Sequence, residues 1–255
     1  MPTYRLDLAY DGSSFHGYAR QPDLRTVQGE LESALFRHTG EIPTFVAGRT
    51  DKGVHATDQV VSFTSSDIDV DVVRRSLNRQ LAPAIAVHRI VEVPDDFHAR
   101  FSATGRAYRY RIWNAEVHDP FGTATSWTYP TALDTAVMNE AIQPLIGEHD
   151  FAAFCRKAGD APTTRRLDWA WWRRSDDLVE LSIGASSFCH QMVRSIVAVS
   201  VEVGRGRMDP GLVAEILSGR DRAAAKGAAP PHGLTLVAVA YGESLPKPAW
   251  VPDTT

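Results

Sequence analysis

Apolar and polar side chains alternate almost from the first residue. In residues 4–10 (YRLDLAY) the period of two predicts a β-strand. Residues 27–38 change to helical spacing: Val27, Leu31, Ala34 and Leu35 recur on one side, Thr26 stands where an N-cap is needed and Gly40 follows the end. Strands fit at 42–47 and 59–64, a helix at 69–81 and a strand at 84–92, giving the order βαββαβ. The second half repeats it. A strand fits at 106–113, a helix at 133–145 with Val137, Ala141 and Leu145 on one side, and strands at 167–174 and 178–185. An apolar helix spans about 187–203, Asp209-Pro210 opens a short extra helix ending near Gly219, and 234–241 (LTLVAVAY) closes as a strand. The expected fold is α+β: two ferredoxin-like (βαββαβ) halves forming an extended antiparallel sheet, with helices on one face and a central cleft. The halves would be 1–104 and 105–245, divided near Ala103-Thr104-Gly105, with 246–255 a flexible, proline-bearing tail. A single α+β domain is the alternative reading of the same pattern.

Composition adds little to this picture. At 44% hydrophobic and 23% charged residues the chain is an ordinary globular one. Its first residues read as a strand rather than a leader and no apolar run is long enough to span a bilayer, so no membrane association and a cytoplasmic location are expected. The two cysteines, Cys155 and Cys189, have no paired spacing, so a disulfide is not expected, and Cys189-His190 reads as helix filler. A net charge of −4 argues against a nucleic-acid partner, yet only four of the 27 basic residues are lysines. Arginine's planar fork suits phosphate contacts and stacking; genomic base composition would give the same bias. The nine histidines include no H-x-x-x-H or H-E-x-x-H set, so no metal is expected.

Candidate chemistry concentrates in Gly48-Arg49-Thr50-Asp51-Lys52-Gly53-Val54-His55-Ala56, between two predicted strands. Glycines on both sides of a polar cluster let the backbone turn tightly beside a ligand. In residues 106–111 (RAYRYR), period two puts Arg106, Tyr108, Tyr110 and Ile112 on one strand face. A tyrosine there can stack on a base, and Tyr110 reads as core. Arg194 lies within an apolar helix, where an unpaired charge is costly, so it needs a carboxylate or a route to the surface.

The segment GRTDKGVHA followed by Gln59-Val60 resembles the signature of the TruA family of tRNA pseudouridine synthases. Tyr10-Asp11-Gly12, Thr26-Val27-Gln28-Gly29, residues 97–103 (FHARFSA), Met192-Val193-Arg194 and Gly233-Leu234 extend the resemblance over nearly the whole chain. The resemblance implies an isomerase that converts uridine to pseudouridine in the anticodon stem-loop of tRNA, at positions 38 to 40, without a cofactor and as a homodimer. It further implies that Asp51 is the nucleophile, Tyr108 the base-contacting tyrosine, Arg194 the partner of Asp51, and Arg49 the residue that helps extrude the target base, unless it serves as a plain phosphate contact. Gly17-Tyr18-Ala19 departs from the family's G-W-Q, which puts RNA contacts near the entrance in doubt, and Pro230-Pro231-His232 is also atypical. An RNA-binding module without turnover is the rival reading; a metal-dependent hydrolase lacks ligand spacing.

Overall fold

A computed structural model describes residues 1–156, 159, 161–225 and 227–252. In chain order its elements are β1 (Thr3–Tyr10), α1 (Val27–Thr39), β2 (Phe45–Val46), β3 (His55–Thr64), α2 (Val70–Leu81), β4 (Ile85–Val93), β5 (Gly105–Trp113), β6 (Trp127–Thr128), α3 (Thr135–Ile142), β7 (Gly147–Asp150), β8 (Thr164–Ser175), β9 (Leu178–Ala185), α4 (Met192–Gly204), α5 (Leu212–Gly219) and β10 (Leu234–Ala240). The fold is α+β, with five α-helices among the described residues and strands that pair mostly antiparallel. None of these helices is long and apolar enough to cross a membrane. The chain divides into two compact units, residues 1–104 with 235–244 and residues 105–234 with 245–255.

In the first unit β1 is the central ribbon. It pairs antiparallel with β3 on one side (Leu6↔Val61) and with β4 on the other (Leu6↔Ile90). β3 also pairs antiparallel with β2 and, at its start, parallel with β10 (Thr235↔His55), so the sheet carries the order β4-β1-β3-β2. The helices form where local chemistry provides caps. The Thr26 hydroxyl accepts from Gly29 N–H at α1, and the Asp69 carboxylate accepts from Asp71 and Val72 N–H at α2, satisfying donors that the first turn leaves open. Val73, Leu77 and Leu81, one face of α2, are buried, as are Leu31 and Leu35 of α1 and Leu6, Val61 and Phe63 of the sheet. Each such side chain contributes about 1.5–3 kcal/mol by leaving water.

In the second unit β9 lies between β5 (Tyr110↔Leu181) and β8 (Trp172↔Leu181), β7 edges β8, and β6 joins β5. Tyr110, Ile112, Ile183 and Trp172 are buried on one face.

Several elements differ from expectation, each for a local reason. Gln191 adopts a left-handed conformation (φ 65°), so the chain turns at 190–191 and the apolar helix starts only at Met192. Pro144 ends α3, which continues as a 3-10 turn over Gln143–Leu145. The strand expected at 42–47 pairs only at Phe45–Val46, and that expected at 59–64 begins at His55. The closing strand, expected to complete the second half, belongs through 235–240 to the first unit. Within the expected tail, the Arg173 guanidinium lies over the Trp250 ring, 5.5 Å from its centroid, and Val251 is buried, while 253–255 lie outside the described residues. Cys155 and Cys189 form a disulfide, with Cα atoms 5.7 Å apart. Their 34-residue separation hid a pairing that only the approach of the Phe154 turn to the start of α4 creates.

Candidate active site

The GRTDKGV segment crosses from Ala47 to the start of β3 as a tight turn. Asp51 is half-buried at its apex, Arg49 and Lys52 are exposed, and Thr50 and Val54 are buried. The turn closes on itself through Val54 N–H, which donates to Asp51 O at 3.1 Å, with Gly53 at φ 79°. A residue with a side chain rarely adopts that conformation.

Surrounding elements hold the turn from three sides. Tyr18 N–H donates to Thr50 O at 3.0 Å. The Tyr10 hydroxyl meets the Thr50 hydroxyl at 2.8 Å, and Gln59 Nε2 donates to Tyr10 Oη at 3.2 Å and to Gly48 O at 2.8 Å. Burial pushes the Tyr10 phenol up to about 12, against the opposing pull of its hydrogen bonds with Thr50 and Gln59. On the third side is the 3-10 turn Gly12–Ser14, so close that a Cβ on Gly12 would stand 2.0 Å from Val54 O. Gly12 N–H also donates to the buried His55 Nδ1 at 3.1 Å, and Asp11 Oδ1 lies 3.1 Å from the same nitrogen. Burial would raise the Asp11 carboxyl, but hydrogen bonds from Ser13 and the neighbouring His55 outweigh it and hold the pKa below the usual range. Tyr10, Gln59, Gly12 and His55 belong to the motifs noted in the sequence, which assigned them no function; two polar side chains at core positions of adjacent strands were the available signal.

At the departure Gly17-Tyr18-Ala19 the first two residues are buried. Tyr18 is buried, its ring 6.2 Å from that of Tyr10, and its carbonyl accepts from Gln28 N–H. Its backbone N–H holds Thr50 O, while Ala19 beside it is half-buried.

Tyr108 and Arg194 lie in the second unit. Tyr108 is 8% exposed on β5, edge-on to Phe188 with ring centroids 5.1 Å apart. Tyr110 is a core aromatic: its hydroxyl donates to Pro230 O at 2.8 Å, and burial raises its pKa against the opposing charge of Arg194. Arg194 is half-buried in the first turn of α4. Its Nε donates to Ala229 O at 2.7 Å, and Ala229 N–H returns a bond to Arg194 O at 2.9 Å. Arg222, which the sequence did not single out, backs this region: its Nη1 donates to Ser195 Oγ at 2.6 Å, and burial with the charge of Arg194 lowers its pKa. The atypical Pro230-Pro231-His232 stretch is therefore a brace for Tyr110 beside Arg194.

The family described as tRNA pseudouridine synthase matches residues 8–102 and 141–242 of this chain. The chain belongs to that family. Membership in the tRNA pseudouridine synthases makes it an isomerase by class. It is 42% identical to a tRNA pseudouridine synthase A of Leifsonia xyli, over 93% of this chain and 91% of that one. It is 44% identical to one of Frankia casuarinae, over 93% and 88%, and 38% identical to one of Listeria monocytogenes, over 94% and 100%.

Proposed function

We propose that this chain isomerises uridine to pseudouridine in the anticodon stem-loop of tRNA, at positions 38 to 40, with Asp51 as nucleophile. The observation that carries the proposal is the half-buried Asp51 carboxylate in a turn clamped by Tyr10, Tyr18, Gln59 and Gly12. Clamping matters because positioning a reacting group supplies a large part of a barrier reduction. The reaction breaks the bond between uracil N1 and the sugar, turns the base, joins carbon 5 to the sugar, releases the carbon 5 hydrogen as a proton and protonates the freed N1. Atoms and electrons balance without a cofactor. Three routes would use the carboxylate: addition to the ring, addition to the sugar, or removal of a sugar proton.

In this reading Arg194 is a catalytic residue in addition to the nucleophile, the Tyr108 ring stacks on the uracil, and Arg49, exposed on the turn, helps extrude the base from a stacked stem. The enzyme would work in the cytoplasm as a homodimer. The β4-β1-β3-β2 order of the first unit supports reading it as ferredoxin-like, and β5-β9-β8 gives the corresponding three places in the second.

The test is release of tritium from tRNA labelled at uracil carbon 5. The wild type should release label, and Asp51→Asn should bind tRNA and release none. Release by Asp51→Asn would remove Asp51 as nucleophile, and binding without release by the wild type would favour an RNA-binding module.

A further inference from the structure

The hydrogen bonds between Tyr10, Gln59 and the turn take no part in the chemistry above, yet they fix its geometry. We propose that Tyr10 and Gln59 are positioning residues, which orient Arg49 and Asp51 through Thr50 and Gly48. The inference rests on the reading of Asp51 as nucleophile.

The bonds form one connected set. Gln59, with no exposed surface, uses its whole amide. Nε2 donates one hydrogen to Gly48 O and the other to Tyr10 Oη, while Oε1 accepts from Gly48 N–H at 3.4 Å and Val60 N–H at 3.2 Å. The amide thus binds both backbone groups of Gly48, as a neighbouring strand would. Tyr10 Oη accepts from Gln59 and shares a hydrogen bond with Thr50 Oγ1, in which either hydroxyl can donate. Thr50, whose carbonyl accepts from Tyr18 N–H, is then held by both side chain and backbone, and it stands directly between Arg49 and Asp51.

Tyr10 and Gln59 are almost completely buried, and Thr50 is 8% exposed. Few waters compete for these bonds, and a satisfied polar network in such surroundings specifies one arrangement. Phenylalanine and leucine would fill the same volume with no polar groups to satisfy. What the polar pair adds is a fixed path for the turn.

The experiment compares kcat and KM for tRNA, by tritium release, in variants that remain folded. Displacing a reacting group by about 1 Å costs up to about 100-fold. Tyr10→Phe is therefore expected to lower kcat by about 10- to 100-fold, with KM within about threefold of wild type. Thr50→Val should do the same, Thr50→Ser should recover most of that loss, and Tyr10→Phe with Thr50→Val should fall little further than either alone. Tyr4→Phe removes another buried hydroxyl from β1, which accepts from Ile68 N–H at 3.3 Å. It controls for stability and should leave kcat unchanged.

A folded Tyr10→Phe with wild-type kcat, a change confined to KM, or an equal kcat loss in Tyr4→Phe would overturn the inference. Activity in Asp51→Asn would overturn the site reading instead, and this inference with it. An inactive Asp51→Asn beside a fully active Tyr10→Phe would sink this inference alone.

Discussion

Replacing Gly12 by alanine would press one backbone segment against the turn that holds Asp51. The added Cβ would stand 2.0 Å from Val54 O and 2.5 Å from Val54 C, whereas real Cβ contacts do not fall below 3.0 Å. The two segments must therefore part by about 1 Å, and both sides of the contact are backbone, so no flexible side chain can yield. The Gly12 side is anchored, since Asp11 N–H donates to Ala84 O at 3.0 Å and Gly12 N–H to His55 Nδ1. Movement at Val54 passes to Asp51 through the 3.1 Å bond that closes the turn. Overpacking of this kind costs about 1–3 kcal/mol of stability, which lowers Tm by about 2–12 °C in a chain of this size. A displacement of about 1 Å at the nucleophile costs up to about 100-fold in kcat, or about 2.7 kcal/mol of transition-state stabilisation. The assay is kcat by tritium release at saturating tRNA beside a thermal melt. Gly40→Ala is the control, because Gly40 has φ 71° but nothing within 4 Å of an added Cβ, so it should lose stability and keep kcat. A Gly12→Ala enzyme with wild-type kcat would show that the packing of Gly12 on Val54 does not set the position of Asp51.

Two further outcomes concern stability. The Tyr18 hydroxyl is buried with no hydrogen-bond partner among the described residues, so Tyr18→Phe should hold or raise Tm, by up to a few degrees; a clear fall in Tm would contradict this. The Asp58 carboxyl is raised by burial and by the nearby Asp7, against the opposing pull of Arg5, the Val239 N–H and His88. A carboxyl raised in the folded state binds more protons there than in the unfolded chain, so its contribution falls as pH rises through the carboxylate range. Asp58→Asn should raise Tm near pH 7 and make no difference well below the ordinary carboxylate pKa. An unchanged melt at pH 7 would refute that assignment.

Much of this structure was legible in the chain. The cap Thr26 and the spacing of Val27, Leu31, Ala34 and Leu35 mark α1, because these features act within a few residues, and the helix expected at 69–81 forms as α2. The same locality explains the misses. β7 (GEHD) has no apolar alternation and forms only because β8 offers an edge. The turn at Gln191 comes from a backbone conformation that glutamine does not advertise. Cys155 and Cys189 meet through tertiary packing. The GRTDKGVHA segment could be singled out by its glycines and charges, but Tyr10 and Gln59, 49 residues apart, looked like strand residues. Their common use shows only when β1 and β3 are aligned next to the turn.

Mapping pseudouridine by sequencing in a tRNA pool treated with the wild-type enzyme or with Asp51→Asn tests the central claim most directly. The account predicts new pseudouridine in the anticodon stem-loop with the wild type and none with the variant. Equal modification by both proteins, or by neither while both are folded and bind tRNA, would contradict it.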